Sequence, residues 1–287
     1  MAMGPAPAIF AHHPPLAERL PWVSLGQWPT PVERLPRLSQ QLGVDLWVKR
    51  DDRSGRLYGG NKVRKLELLL AAAVAAEKRA VLTVGGIGSN HVVATGLYAN
   101  QLGLAARAVV VPQPVTPHVR HSLELTRALD VELIPCPTRA LVPFYMAAAR
   151  RKKPACHVIG PGGSSPLGIV GFVSAALELG QQVREGLLPE PEEVFVALGS
   201  GGTMAGLALG CALAGLACRV VGVAVVERLL ANATRVRMLV RQTARLLKAA
   251  GVLPPREAPR MRVLHGYLGG RYGRPTPAAE SALELAQ

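Results

Sequence analysis

The chain has 287 residues, 49% of them hydrophobic, and 33 lysines and arginines against 19 acidic side chains give a formal net charge of +14. That composition is ample for a buried core and allows roughly two domains of ordinary size. The charge does not mark a nucleic-acid surface, because the arginines are scattered and no basic run is interleaved with aromatics that could stack bases; no nucleic-acid partner is expected.

Residues 1–28 are rich in proline and read as an irregular, loosely docked arm. A short helix over 36–42 closes at Gly43, and 45–50 alternates like a strand. Gly59-Gly60-Asn61-Lys62-Val63-Arg64-Lys65-Leu66-Glu67 follows, with two glycines opening a helix over 63–78. From there short apolar strands alternate with helices: strands at 80–84, 106–111, 131–135, 155–159, 194–198 and 219–226, helices at 89–101, 118–129, 140–150, 167–183 and from 203. This alternation indicates parallel βαβ units. The stretch 80–159 holds enough strands and helices for one compact unit, with the rest forming a second sheet and a ligand cleft between them. Arg235, Arg237, Arg241, Arg245 and Lys248, beside Val236, Leu239, Val240, Leu246 and Leu247, make an amphipathic helix with a wet basic face.

Cys136, Cys156, Cys211 and Cys218 show no CxxC spacing and read as free, mostly buried thiols of a reducing compartment. The seven histidines form no HExxH arrangement, so no metal is expected. No signal peptide is evident, and the uncharged stretch 203–218 is shorter than the ~20 residues of a membrane span. A cytoplasmic protein without a membrane partner is expected.

Three glycine-bearing loops fall at strand ends, where ligands bind in such folds. Lys62 lies in the first turn of a helix, where the dipole disfavours its charge. Alone it reads as a solvated surface lysine or as a desolvated amine that reacts with a carbonyl. Leu198-Gly199-Ser200-Gly201-Gly202-Thr203 is either a tight turn or a nest of N–H groups for one phosphate. It lacks the Lys-Ser/Thr ending of a nucleotide loop, and its late position does not suit a dinucleotide. Gly85-Gly86-Ile87-Gly88-Ser89-Asn90-His91 places a hydroxyl, an amide and an imidazole at a helix start, where Ser89 could simply be an N-cap. Gly160-Pro161-Gly162-Gly163-Ser164-Ser165 reads as a connection or as part of the cleft lining. Lysine, amide and anion nest together fit one cofactor, pyridoxal 5′-phosphate, with Lys62 on its aldehyde and Asn90 on its ring hydroxyl.

From Pro29-Thr30-Pro31-Val32-Glu33-Arg34-Leu35 onward, the chain resembles the 1-aminocyclopropane-1-carboxylate deaminase/D-cysteine desulfhydrase family. The lysine motif is the most specific part of that resemblance. It implies fold type II, an α/β fold of two open, twisted, mostly parallel sheets in two domains with the cofactor between them. Residues 1–65 and 160–287 would form the larger, cofactor-binding domain and 66–159 the smaller. It further implies Lys62 as the Schiff-base lysine, and Lys65, Gly199, Ser200, Gly201, Gly202 and Thr203 as phosphate ligands. Asn90 would contact the cofactor, Ser89, Asn90 and His91 the substrate, and Ser89 and Tyr272 would join Lys62 in catalysis. Val93-Ala94 stands where the family has Arg-Gln, and Gly88 where it has glutamine.

The implied activity is that of a lyase or deaminase acting on a small amino acid as a homodimer, with D-cysteine yielding pyruvate, ammonia and sulfide, or with aminocyclopropane carboxylate opened. His91 leans toward the desulfhydrase branch. Family members continue past the position of Gln287 with a segment that faces the cofactor. The alternative expectation is therefore a cofactor-binding homologue of impaired activity.

Overall fold

A computed structural model of the chain describes residues 5–153, 155–269, 272–274 and 276–286. The chain begins with α1 (Ala8–His12), α2 (Leu16–Arg19), β1 (Val32–Arg34), α3 (Pro36–Leu42) and β2 (Trp47–Lys49). Then come α4 (Val63–Ala75), β3 (Ala80–Gly86), α5 (Asn90–Gln101), β4 (Ala105–Val111), α6 (Pro117–Ala128) and β5 (Glu132–Pro135). They are followed by α7 (Val142–Lys152), β6 (Cys156–Val158), α8 (Pro166–Arg184), β7 (Glu193–Leu198) and α9 (Gly202–Ala214). The last elements are β8 (Arg219–Ala224), α10 (Ala233–Ala249), β9 (Met261–Leu264) and α11 (Pro277–Ala286).

The fold is α/β with mostly parallel sheets. β3 to β6 form a four-stranded parallel sheet in the order β5-β4-β3-β6, and β7-β8-β9 form a three-stranded parallel sheet. β1 and β2 pair antiparallel as a small separate ribbon. Ala80 to Val84 of β3 are buried without a break, as a strand covered on both faces must be. β9 and α11 lie outside the elements expected from the sequence; β9 is a four-residue edge strand with an arginine inside it, too short to show a period.

The N-terminal arm is not loosely docked. Ile9, Phe10, Leu16 and Leu20 are buried in the same core as α8 and α9, and the Ile9 N–H donates to Ser174 Oγ at 3.2 Å. Helices of 5 and 4 residues are too short to display a helical period in sequence. Their proline neighbours look like loop punctuation while serving as helix starts.

α4 and α8 lie at the centre. They touch closely because residue 171 has no side chain: a Cβ on Gly171 would sit 2.1 Å from the Arg64 carbonyl oxygen. A buried ionic cluster locks them together. Arg64 donates to Glu178 Oε2 at 2.9 Å and to Asp51 Oδ1 at 2.8 Å, and Lys49 Nζ donates to Glu178 Oε1 at 2.6 Å. One turn along α4, the Glu67 carboxylate accepts from the Leu25 and Gly26 N–H groups and from Trp28 Nε1. The N-terminus of α4 is thus held from behind, which fixes where Lys62 stands. Among the described residues no helix is long and apolar enough to cross a membrane, no cluster could hold a metal, and the four cysteines are free and buried.

Candidate active site

The loops after β3, β4, β6 and β7 leave the carboxyl ends of parallel strands, the side on which α/β sheets bind ligands. Each carries a segment of the site, and the N-terminus of α4 comes between them.

Lys62 is the N-cap residue of α4 and donates to Asn61 Oδ1 at 2.5 Å. Burial pushes its amine down to about 8, so that more of it is neutral near physiological pH than for an ordinary lysine, though most stays protonated. A cavity of about 190 Å³ opens at it, and Ser89, Asn90, His91, Gln113 and Tyr272 share the lining.

The loop after β3 turns directly into α5. Ser89 is the N-cap, its Oγ accepting from the His91 N–H at 3.2 Å, so capping and a place in the cavity coexist. Asn90 Oδ1 accepts from the Tyr58 hydroxyl at 2.9 Å, an arrangement that turns the amide so that its N–H₂ is left to donate. The Tyr58 carbonyl in turn accepts from the Tyr98 hydroxyl at 2.6 Å. His91 is buried, with Nε2 2.9 Å from Thr83 Oγ1. Desolvation, with Lys62 and Lys65 adding repulsion, holds it down to about 3, so its ring is neutral. Tyr272 stands at the rim with the Arg139 guanidinium 5.9 Å from its ring centre. It belongs to the stretch Arg271-Tyr272-Gly273-Arg274-Pro275, of which Arg271 and Pro275 lie outside the described residues.

The second part of the site lies beside the first, linked to it where Asn61 Nδ2 donates to Thr203 Oγ1 at 3.4 Å. Gly201, at φ +91°, takes the left-handed turn that starts α9. The loop after β6 packs against it, so that residues 160–165 are more than a connection. Ser164 Oγ is the meeting point: the Gly202 N–H donates to it at 3.1 Å, Lys65 Nζ at 3.4 Å, and Ser200 Oγ lies 2.8 Å away. Lys65 is buried and forms no ion pair with a described carboxylate; its other acceptor is the Gly162 carbonyl at 3.2 Å. Burial first, then repulsion from Lys62, pushes its amine well below the ordinary lysine value. A helix N-terminus, two hydroxyls and a buried lysine amine, which an anion would keep protonated, converge on one point and could seat an anion such as a phosphate monoester.

The residues fit pyridoxal phosphate on these observations: a partly neutral amine for its aldehyde, an amide donor at Asn90 for its ring oxygen, and a cradle of N–H, hydroxyl and lysine groups without a described carboxylate for its phosphate. Of the residues expected at the site, Lys62, Ser89, Asn90, His91 and Tyr272 line the cavity, Lys65, Ser200 and Gly202 meet at Ser164, and Thr203 accepts from Asn61. Tyr58, Ser164 and Gln113 were not expected. Ser164 could have been suspected from the glycines before it, whereas Tyr58 and Gln113 carry no local signal.

Comparison with known proteins agrees. The family model described as pyridoxal-phosphate dependent enzyme matches residues 23–286. A protein of Pyrococcus abyssi named putative 1-aminocyclopropane-1-carboxylate deaminase is 36% identical over 90% of this chain and 77% of its own length. The nocardicin C-9′ epimerase of Nocardia uniformis is 38% identical over 83% and 73%. The D-cysteine desulfhydrase of Klebsiella pneumoniae is 37% identical over 67% of this chain and 60% of its own length. Among solved structures, one described as an ACC deaminase homologue superposes with a TM-score of 0.78 at 33% identity, over 95% of this chain and 80% of that one.

Proposed function

The chain belongs to the pyridoxal-phosphate-dependent enzymes, and on that premise we propose that it is a lyase or deaminase of small amino acids. With D-cysteine, water is consumed and pyruvate, ammonia and hydrogen sulfide are released. With 1-aminocyclopropane-1-carboxylate, the ring opens and a keto acid and ammonia are released. The observation that carries this reading is the half-buried Lys62 side chain, its amine lowered to about 8, lining a cavity with Ser89, Asn90 and Tyr272.

When bound, the cofactor supplies an electron sink for negative charge at the α-carbon of an amino acid. The rest is done by the chain. Lys62 would hold the cofactor through its aldehyde carbon; with D-cysteine its amine would be the base that takes the α-proton, whereas aminocyclopropane carboxylate has no α-proton, and there Lys62 or Ser89 would initiate ring opening. Lys65, Ser200, Thr203 and the N–H groups of Gly199, Gly201 and Gly202 hold the phosphate. Asn90, aimed by Tyr58, donates to the ring oxygen. Ser89 meets the substrate carboxylate or assists proton transfer, His91 lines the substrate side as a neutral ring, and Tyr272 closes the rim. The names of the deaminase and desulfhydrase relatives support an active enzyme over an impaired one.

The epimerase relative favours a second reading. Epimerisation shares removal of the α-proton and differs in returning it to the other face without elimination. Incubating the cofactor-loaded protein with D-cysteine and with aminocyclopropane carboxylate, and measuring keto acid, ammonia and the remaining D- and L-cysteine, separates the two. Keto acid and ammonia in equal amounts are expected. Inversion alone would make it an epimerase, and no change in either amino acid would sink the lyase reading. We further propose a cytoplasmic homodimer with no nucleic-acid partner. Residues 66–159, around the four-stranded sheet, would be its smaller domain, and 1–65 with 160–287 the larger.

A further inference from the structure

Tyr272 follows β9 of the three-stranded sheet, yet side chains from the four-stranded sheet meet it at the cavity rim. Arg139, in the loop after β5, sets its guanidinium over the Tyr272 ring, 5.9 Å from the ring centre. Gln113, in the loop after β4, stands beside the next residue, since a Cβ on Gly273 would lie 3.8 Å from its Nε2. Gly273 itself takes φ +77°, so the turn that presents the tyrosine is built for glycine. Arg139 also reaches the loop after β8, where its Nη1 donates to both carboxylate oxygens of Glu227, at 2.9 and 2.8 Å. One guanidinium thus joins the loops after β5, β8 and β9 beside the cavity.

The Arg139 and Glu227 side chains are 45% and 50% exposed, and an ion pair in that setting adds little to stability. What it adds is direction. A guanidinium within about 6 Å of an aromatic centre is attracted to the ring face, and Glu227 fixes where that guanidinium stands. We infer that Arg139 is a positioning residue, which holds the Tyr272 ring at the mouth of the cavity lined by Lys62; the kinetic side of this rests on the lyase reading above. Arg139 stands outside the cavity lining and acts through the ring. Without it, the ring is carried by its own turn and by the Gln113 contact alone, and the rim loosens. A looser rim encloses a bound amino acid less well. That weakens ground state and transition state alike, so it raises KM and leaves kcat nearly unchanged.

The test compares wild type, Arg139→Gln, Arg139→Lys, Tyr272→Leu and the double variant Arg139→Gln/Tyr272→Leu. One readout needs neither cofactor nor turnover: amide hydrogen exchange of the peptide bearing Tyr272 and Gly273, in the cofactor-free full chain. Arg139→Gln should speed that exchange about two- to five-fold, the range for a cation–π contact at an exposed site. Arg139→Lys, which keeps a cation, should speed it less. The double variant should exchange no faster than Tyr272→Leu, because Arg139 acts only through the ring. Loaded with pyridoxal phosphate, Arg139→Gln should show a KM for D-cysteine raised about two- to five-fold with kcat within about two-fold of wild type. Its melting temperature should stay within a degree or two of wild type. Unchanged exchange at Tyr272, additive effects in the double variant, or a melting temperature many degrees lower would overturn the inference while leaving the lyase reading intact. Wild type inert toward D-cysteine and aminocyclopropane carboxylate would remove the lyase reading, and the exchange rates alone would then decide whether Arg139 holds the ring.

Discussion

Arg64 and Lys65 are neighbours on α4, each only 2% exposed, and they meet opposite surroundings. Arg64 is enclosed by Asp51, Glu178 and Thr30, so that its guanidinium is neutralised and hydrogen-bonded inside the protein. Lys65 has a carbonyl and a hydroxyl for company and another lysine for its nearest repulsion. Burying a charge is tolerable when partners surround it and costly when they do not. The arginine is therefore architecture: it ties α4 to α8 and to the segment before the lysine loop. The lysine has no carboxylate partner among the described residues, and the helix N-terminus and hydroxyls that converge beside it support the proposal that an anion binds there.

The contrast can be broken at either residue. The larger effect is expected at Arg64. Arg64→Met would leave the Asp51 and Glu178 carboxylates without their main cation, at a cost of about 3–5 kcal/mol. A large fall in melting temperature should appear with or without cofactor. If Arg64→Met melts within a degree or two of wild type, the cluster does not hold α4. Lys65→Met should behave in the opposite way. The cofactor-free protein should melt at or above the wild-type temperature, while affinity for pyridoxal phosphate falls by about ten-fold or more, the range for a hydrogen bond to a charged group. A collapse of the apoprotein like that of Arg64→Met would mean that Lys65 is structural too.

Much of this was legible in the sequence where the signal is local. The strand–helix alternation after residue 80 follows from runs such as Ala80 to Val84, which are apolar enough to be covered on both faces. The glycines before Lys62 and around Ser200 mark backbone turns at helix starts, and those turns place the amine and the anion nest. What escaped is tertiary. Ile9, Phe10 and Leu16 sit in helices of a turn or so, whose burial depends on α8, more than 150 residues away, as the Ile9–Ser174 bond illustrates. Tyr58 matters only because Asn90 folds back to meet it, and Ser164 only because Gly202 and Lys65 converge on it. The cation network around Arg64 draws its carboxylates from positions 51 and 178, which no local pattern joins.

The central claim is that Lys62 is the residue that carries the cofactor, and trapping tests it most directly. Wild type and Lys62→Ala would be incubated with pyridoxal phosphate, reduced with borohydride and mapped by peptide mass. The account predicts one cofactor adduct, on the peptide bearing Lys62, absent from Lys62→Ala. The pH dependence has a definite sign. The amine is cationic below about 8 and neutral above it, and the neutral form attacks the aldehyde. The rate of adduct formation should therefore climb as pH rises through about 8, well before an ordinary lysine would respond. An adduct on Lys65 or Lys49 instead, or none on a folded wild-type protein, would contradict the account.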